Sequence, residues 1–199
     1  MKIVECYDIL NSSLFNTSAE LRIAVKEIEE AIKLTDWPHG SGVFTIYPEK
    51  QANGVTLIKK PCMNYLVSKG WQTEKLPGII NSSIIKTGDL DALKLTDEGY
   101  IAFEWETGNI SSSHRALNKL FLTMQETNTI GSFLVLPTRK MYPFLTDRIG
   151  NISELKPYFP LWKNLTGIKG GMRIIAVEHD EENFSVPKIP KGTDGRARR

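Results

Sequence analysis

Cysteine is scarce: the 199-residue chain has two, Cys6 and Cys62, too few for a disulfide framework and without neighbours at zinc-ligand spacing. Both are expected to be reduced structural thiols. Long apolar runs are missing as well. No stretch is long enough to span a bilayer, and the apolar opening MKIVECYDILNSSLF is interrupted by Glu5 and Asp8, which argues against a signal peptide. A cytoplasmic protein with no membrane association is expected. An excess of one charge is lacking too, because 25 Lys and Arg against 23 Asp and Glu leave a formal net charge of +2. That balance excludes recognition of a polyanion by bulk charge alone. Composition break, internal repeat and low-complexity block are all absent, so one domain over residues 1–199 is expected, large enough for a real hydrophobic core. Basic charge does gather at the C-terminus, where Lys188, Lys191, Arg196, Arg198 and Arg199 face the single Asp194 among prolines and glycines, the composition of a frayed tail.

The patterned segments alternate between helix and strand. Thr17 with Glu20 reads as a capping box, and Leu21, Ala24, Val25, Ile28, Ala31 and Ile32 then recur at helical spacing until Asp36-Trp37-Pro38. Pro61 suits the first turn of a shorter helix running to about Ser68, with Gly70 ending it. From Asp89 to Glu106 the residues alternate around Thr96-Asp97-Glu98-Gly99, the pattern of a β-hairpin with a four-residue turn. A helix follows with Ala116, Leu117, Leu120, Phe121 and Met124 on its apolar face. The runs 131–136 and 173–177 have the continuous apolar character of central strands. Strands separated by a helix imply an α/β fold with a central mixed sheet flanked by helices.

Stepping outward from the hairpin turn pairs Leu95 with Tyr100 and places Asp91 opposite Glu104, while Glu106, two residues on, projects from the same face. Ile101, Phe103 and Trp105 occupy the other face and suit a core. Directly opposed like charges are destabilising, so the arrangement reads in one of two ways. Either the carboxylates hold a hard divalent cation that cancels their repulsion, or they form the acidic outer face of an edge hairpin relieved by water and salt.

Asp91, then twelve residues, then Glu104-Trp105-Glu106 has the layout of the nuclease motif Asp…Glu-x-Lys, with Glu106 where lysine usually stands and Leu90 where proline usually precedes the aspartate. The stretch FEWETGNISSSHRALNKL (103–120), including its second glutamate, resembles the BamHI family of type II restriction endonucleases. Further landmarks follow in the same order: NGV…IK (Asn53 to Lys59), Glu74-Lys75, LTDR (Leu145 to Arg148) with Asn151, ELKPYF (154–159) and IPKGTDG (189–195).

The resemblance implies a restriction-endonuclease-like core of the PD-(D/E)xK type and a homodimer acting on double-stranded DNA. It implies Asp91 and Glu104 as shared metal ligands, Glu74 and Trp105 as further ligands, and Glu106 as ligand and general base. Magnesium is the implied cofactor, with manganese a substitute and calcium bound without cleavage. The implied reaction is hydrolysis at a GGATCC-type palindrome after the first G, leaving four-base 5′ extensions.

The residues for reading DNA carry alternatives of their own. Asn109, Ser111 and Arg115 stand beside the implied site, and amide and guanidinium groups match adenine and guanine edges in the major groove; helix capping and a surface arginine are the other explanation. Asp147-Arg148 offers an acceptor and a donor suited to one G·C pair, or caps the next segment. Lys59 meets a phosphate or water, or is a surface lysine. His114 either reaches a phosphate or is structural, and His39 and His179 receive no role. Residues 187–199, with Asp194, form a flexible tail or a DNA-contacting arm. The face from Leu117 to Met124 serves either dimerisation or the core. Two rivals remain: a DNA-binding module, which has no use for Asp91, Glu104 and Glu106, and a repair nuclease on the same fold.

Overall fold

The chain opens on a strand, β1 (Lys2–Leu10), whose polar residues Glu5 and Asp8 hide it from a hydropathy pattern. Its pairing partner comes from the far end of the sequence: β7 (Gly171–Glu178) runs antiparallel to it. Arg173 closes the pair with a two-pronged contact to Asp8, Nε to Oδ1 at 2.6 Å and Nη2 to Oδ2 at 3.0 Å. The structure is a computed structural model and describes residues 1–77 and 88–192.

A short helix, α1 (Leu14–Thr17), leads into α2 (Ala19–Lys33). The capping residue is Ser18, whose hydroxyl accepts from the Leu21 N–H at 3.1 Å, and not Thr17. The Thr17 hydroxyl instead donates to the Ser13 carbonyl and finishes α1, so the cap falls one residue later than expected and, with Leu21 at its third position, is a single bond and not a capping box. A two-residue strand β2 (Thr45–Ile46) precedes α3 (Lys60–Ser68), which has Pro61 in its first turn and is followed by Gly70, φ +86°.

Strand β3 (Gln72–Lys75) lines up beside the hairpin of β4 (Leu90–Leu95) and β5 (Tyr100–Trp105). Leu95 pairs with Tyr100 and Ala92 with Phe103, the register the alternation implies. Helix α4 (Ile110–Glu126) then crosses the sheet and delivers β6 (Thr129–Pro137) parallel to β5. Two short helices, α5 (Ile152–Leu155) and α6 (Phe159–Lys163), lead to β7, and β8 (Glu181–Glu182) pairs with β2. The main sheet has the order β1-β7-β6-β5-β4-β3, parallel through β5, β6 and β7 and antiparallel outside them. This is the expected mixed sheet.

Alternation along the central strands feeds two cores. Ile101, Phe103, Trp105, Phe133 and Val135 pack with α2 and α3 on one face. Ala102, Leu134, Leu136 and Ile174 pack with α4, α5 and α6 on the other. The stripe Ala116, Leu117, Leu120, Phe121 and Met124 is buried in this second core, so its open alternative is resolved in favour of packing within the chain. Each such aliphatic or aromatic side chain contributes roughly 1.5–3 kcal/mol by leaving water. No helix of the described residues is long and apolar enough to cross a membrane.

Leu120→Ala, at a fully buried position, is expected to cost about 2–5 kcal/mol through lost transfer energy and a residual cavity. Leu95→Ala, at a position 66% exposed, should change stability by less than about 0.5 kcal/mol. Urea unfolding of both variants checks the contrast.

Candidate active site

Strands β3, β4 and β5 bring the acidic residues to one level of the sheet. Thr73 pairs with Ala92 and Lys75 with Leu90, which leaves Glu74 level with Asp91, and the β4–β5 register carries Asp91 on toward Glu104. Glu74 is exposed and has a left-handed backbone, φ +51°, which bends β3 where it passes Asp91. For a non-glycine residue that conformation costs of order 1 kcal/mol or more and persists where surrounding structure imposes it.

The carboxylates are not the bare acidic surface that alternation implies. Asp91 Oδ1 accepts from the Lys59 ammonium at 2.6 Å, and Oδ2 accepts from the Trp105 main-chain N–H at 2.9 Å. Lys59 comes from the turn that starts α3, on the side of the first core. Glu104, 7% exposed, contacts the ammonium of Lys119, which reaches in from α4 on the opposite side. Lys119 also donates to the Asp89 carbonyl at 2.7 Å. Each carboxylate is thus engaged by a lysine from a different helical layer.

Burial, and next to it the charge of Asp91, pushes the Glu104 carboxyl up to about 7. Glu106 is also raised, chiefly by burial, although its Oε1 accepts from the Gly108 N–H at 2.5 Å. The Trp105 indole is buried in the first core, so the main chain is all that this residue offers the site.

Among the described residues no three carboxylate, His or Cys side chains already stand close enough to hold a metal ion. The donors nevertheless suit one. They are hard carboxylate oxygens, and Glu104 is a buried acid beside another acid, a pairing whose repulsion a divalent cation relieves. Asp91 and Glu104 would hold it, with Glu106 directly after β5 and Glu74 on the neighbouring strand β3.

The loop after β5 links this site to a second set of residues. Asn109 caps α4, its side chain accepting from the Ser112 N–H at 3.1 Å, and Ser111 and Arg115 are exposed one turn apart on that helix. Ser113, three residues into the helix, is fully buried. Segment 145–150 docks against this helix start, with Asn109 bridging to Ile149 and the Gly150 N–H donating to the Gly108 carbonyl at 2.9 Å. A Cβ on Gly150 would lie 2.3 Å from the Ser113 hydroxyl and 3.0 Å from the Ile110 Cα, so only glycine permits this approach. The docking brings Leu145 and Ile149 to a cleft that Trp105 and Glu106 also line, and Asp147 and Arg148 stand between these two residues in the chain. Arg148 is exposed with φ +50°, a second strained non-glycine backbone among the candidate residues. His114 packs edge-on against Tyr158, its ring centroid 4.6 Å away, which favours its structural reading.

Asn53, unassigned from the sequence, proves to be a hub. It is fully buried, donates its amide to the carbonyls of Tyr47 (2.8 Å) and Phe144 (3.0 Å), and accepts from the Ile189 N–H (3.3 Å). Its neighbour Gly54 admits no side chain, since a Cβ would fall 2.0 Å from the Pro190 carbonyl oxygen. The segment expected to leave the body at Pro187 therefore packs down as far as Ile189, which is 1% exposed. Asp194 lies outside the described residues. Lys119 was also unassigned, although it belongs to the 103–120 stretch; its signal was its place on α4 one turn past Arg115.

The family model described as restriction endonuclease BamHI matches residues 1–196. The chain is 47% identical over 173 residues to the type II restriction enzyme OkrAI of Oceanobacter kriegii, covering 87% of this chain and 88% of that enzyme. It is 36% identical over 182 residues to the type II restriction enzyme BamHI of Bacillus amyloliquefaciens, covering 88% and 83%. In fold it is similar to restriction endonuclease BglII in complex with a DNA 16-mer, with TM-score 0.60, 14% identity and coverage of 90% and 79%. Free BglII gives TM-score 0.51 at 14% identity, covering 90% and 81%. The fold is the restriction-endonuclease-like one.

A carboxyl whose folded pKa lies above its unfolded value of 4.5 binds its proton more tightly in the folded state, so stability is lost as pH rises through about 7. Glu104→Gln cannot ionise and escapes that loss. In EDTA its stability relative to the parent should therefore rise by up to ~3 kcal/mol between roughly pH 4.5 and 7 and level off above. The unpartnered Lys119 adds an offset that does not change the slope. Urea unfolding across pH measures it, and a flat difference would refute an ionisable buried Glu104.

Proposed function

The chain belongs to the BamHI family of type II restriction endonucleases, and from that premise we propose that it cuts both strands of a GGATCC-type palindrome after the first G, as a magnesium-dependent homodimer in the cytoplasm. The observation that carries the proposal is the pairing of Asp91 with buried Glu104 next to the helix start that presents Asn109, Ser111 and Arg115. Chemistry and recognition share one loop.

Asp91 and Glu104 would hold the divalent ion, Glu74 and the Trp105 main chain would complete the ligand set, and Mn2+ would substitute while Ca2+ would bind without cleavage. When bound, Mg2+ supplies positive charge that acidifies a water and stabilises the phosphoryl and leaving oxygens of an in-line displacement. Glu106 accepts the proton of the attacking water: burial already raises its proton affinity, and the Gly108 N–H at 2.5 Å keeps its carboxylate oriented. Lys59, 2.6 Å from Asp91 and partly exposed, is proposed to meet a phosphate of the bound DNA while it holds the Asp91 carboxylate in place.

Base reading is proposed for Arg148 with Asp147 on one G·C pair, and for Asn109, Ser111 and Arg115 in the major groove, each good bidentate pair discriminating by about 1–3 kcal/mol. Asp194 and the basic residues after it would lie along the DNA. A palindrome calls for two-fold protein symmetry. The exposed Tyr158 and Leu161 around α6 offer the apolar surface for a second copy, the stripe of α4 being already used. The carboxylate pair favours this reading over a DNA-binding module without catalysis.

Sequencing the ends produced on phage DNA tests site, stagger and activity together; cuts at damaged or branched DNA alone would favour a repair nuclease. Sedimentation with a single-site duplex should give two chains per duplex. Glu104→Ala is expected to abolish Mg2+-supported cleavage, since no other side chain at that position replaces the ligand, while cognate binding in EDTA survives. Near-parental cleavage by this variant would overturn the site assignment. Arg148→Ala should weaken cognate binding by roughly 1–3 kcal/mol and leave random-duplex binding almost unchanged. Equal losses on both duplexes in gel shifts would count against base reading.

A further inference from the structure

Lys119 follows Arg115 by one turn of α4, yet the two point to different places: Arg115 is exposed, whereas the Lys119 side chain is 12% exposed. Its ammonium is held between the Asp89 carbonyl, at 2.7 Å, and the Glu104 carboxylate. The proposed reaction makes no use of it. In the usual nuclease motif the lysine stands two residues after the glutamate, the position taken here by Glu106, so a cation reaches Glu104 from a helix and not from its own strand.

We infer that Lys119 is a positioning residue that serves as the resident counter-ion of Glu104, keeping this carboxylate seated until a divalent cation competes for the same oxygens. The inference rests on the reading of Asp91 and Glu104 as ligands. An unpartnered carboxylate is costly to bury, and at 7% exposure water cannot compensate Glu104. Lysine suits a replaceable partner because its ammonium is a point charge on a flexible stem, with three donors that need not all serve one acceptor. The Asp89 carbonyl provides a second anchor, so the side chain can release Glu104 without losing its seat. That anchor also ties α4 to the residue before β4, two positions from Asp91. A divalent ion that enters between Asp91 and Glu104 meets the repulsion of this ammonium, so neutralising Lys119 has a definite sign.

The test is Mn2+ binding to the full chain, metal-stripped and without DNA, followed by the EPR signal of free Mn2+ at constant pH and low salt. Lys119→Met is expected to bind Mn2+ about tenfold tighter or more, because a like charge is removed from the site. Lys119→Gln, which retains a donor for Asp89, should tighten it in the same direction. In EDTA both variants should melt lower than the parent, and Mn2+ should raise their melting temperatures by more than it raises the parent's. A merely structural lysine would loosen the site and weaken Mn2+ instead. If Lys119→Met fails to fold, Lys119→Gln decides. Parental binding that is lost in Asp91→Ala but unchanged or weakened in the lysine variants would overturn the inference alone. Absence of Asp91-dependent binding in the parent would overturn it together with the ligand reading.

Discussion

Two carboxylates stand side by side on adjacent strands of the sheet, and one of them is buried. Asp91 and Glu104 lie on adjacent strands, and burial with mutual repulsion pushes Glu104 up to about 7. Carboxylates in that position must be partnered, and much of the surrounding architecture supplies partners. Lys59 arrives from the start of α3, Lys119 from the middle of α4, and the Trp105 main chain donates from β5. The helical layers thus do two jobs at once: their apolar stripes fill the cores on either side of the sheet, and each sends one cation to its edge.

The residues proposed for chemistry and those proposed for base reading are tied together by backbone contacts and not by further charges. The loop 106–109 folds Glu106 back onto Gly108, caps α4 with Asn109, and receives segment 145–150 through a bridge that only a glycine at 150 allows. Asn53 secures the other side of that segment. A single buried amide bonds Tyr47, Phe144 and Ile189, joining three stretches that are far apart in the sequence. Buried amides of this kind are costly when unsatisfied, so full satisfaction makes the packing of the three stretches specific. The strained backbones of Glu74 and Arg148 sit at the two margins of this frame.

Much of this was legible in the residues. Period-2 alternation around Thr96 to Gly99 determined the hairpin register, and with it the approach of Asp91 to Glu104, because strand pairing near a tight turn leaves little choice. The stripe from Ala116 to Met124 determined α4 and its buried face, and the apolar runs at 131–136 and 173–177 determined central strands. The motif in 103–120 was sufficient for the family. Strands β1 and β3 escaped notice because edge strands carry polar residues on their open faces, as Glu5 and Glu74 do, and so lose the alternation that would mark them. What only the tertiary structure decided was which charged and polar groups meet. Lys59 stands 32 positions before Asp91, Lys119 15 positions after Glu104, and Ile189 136 after Asn53. Local pattern carries information over one turn or one rung, whereas these partners are selected by how α3, α4 and the C-terminal segment pack against the sheet, and that depends on the whole core.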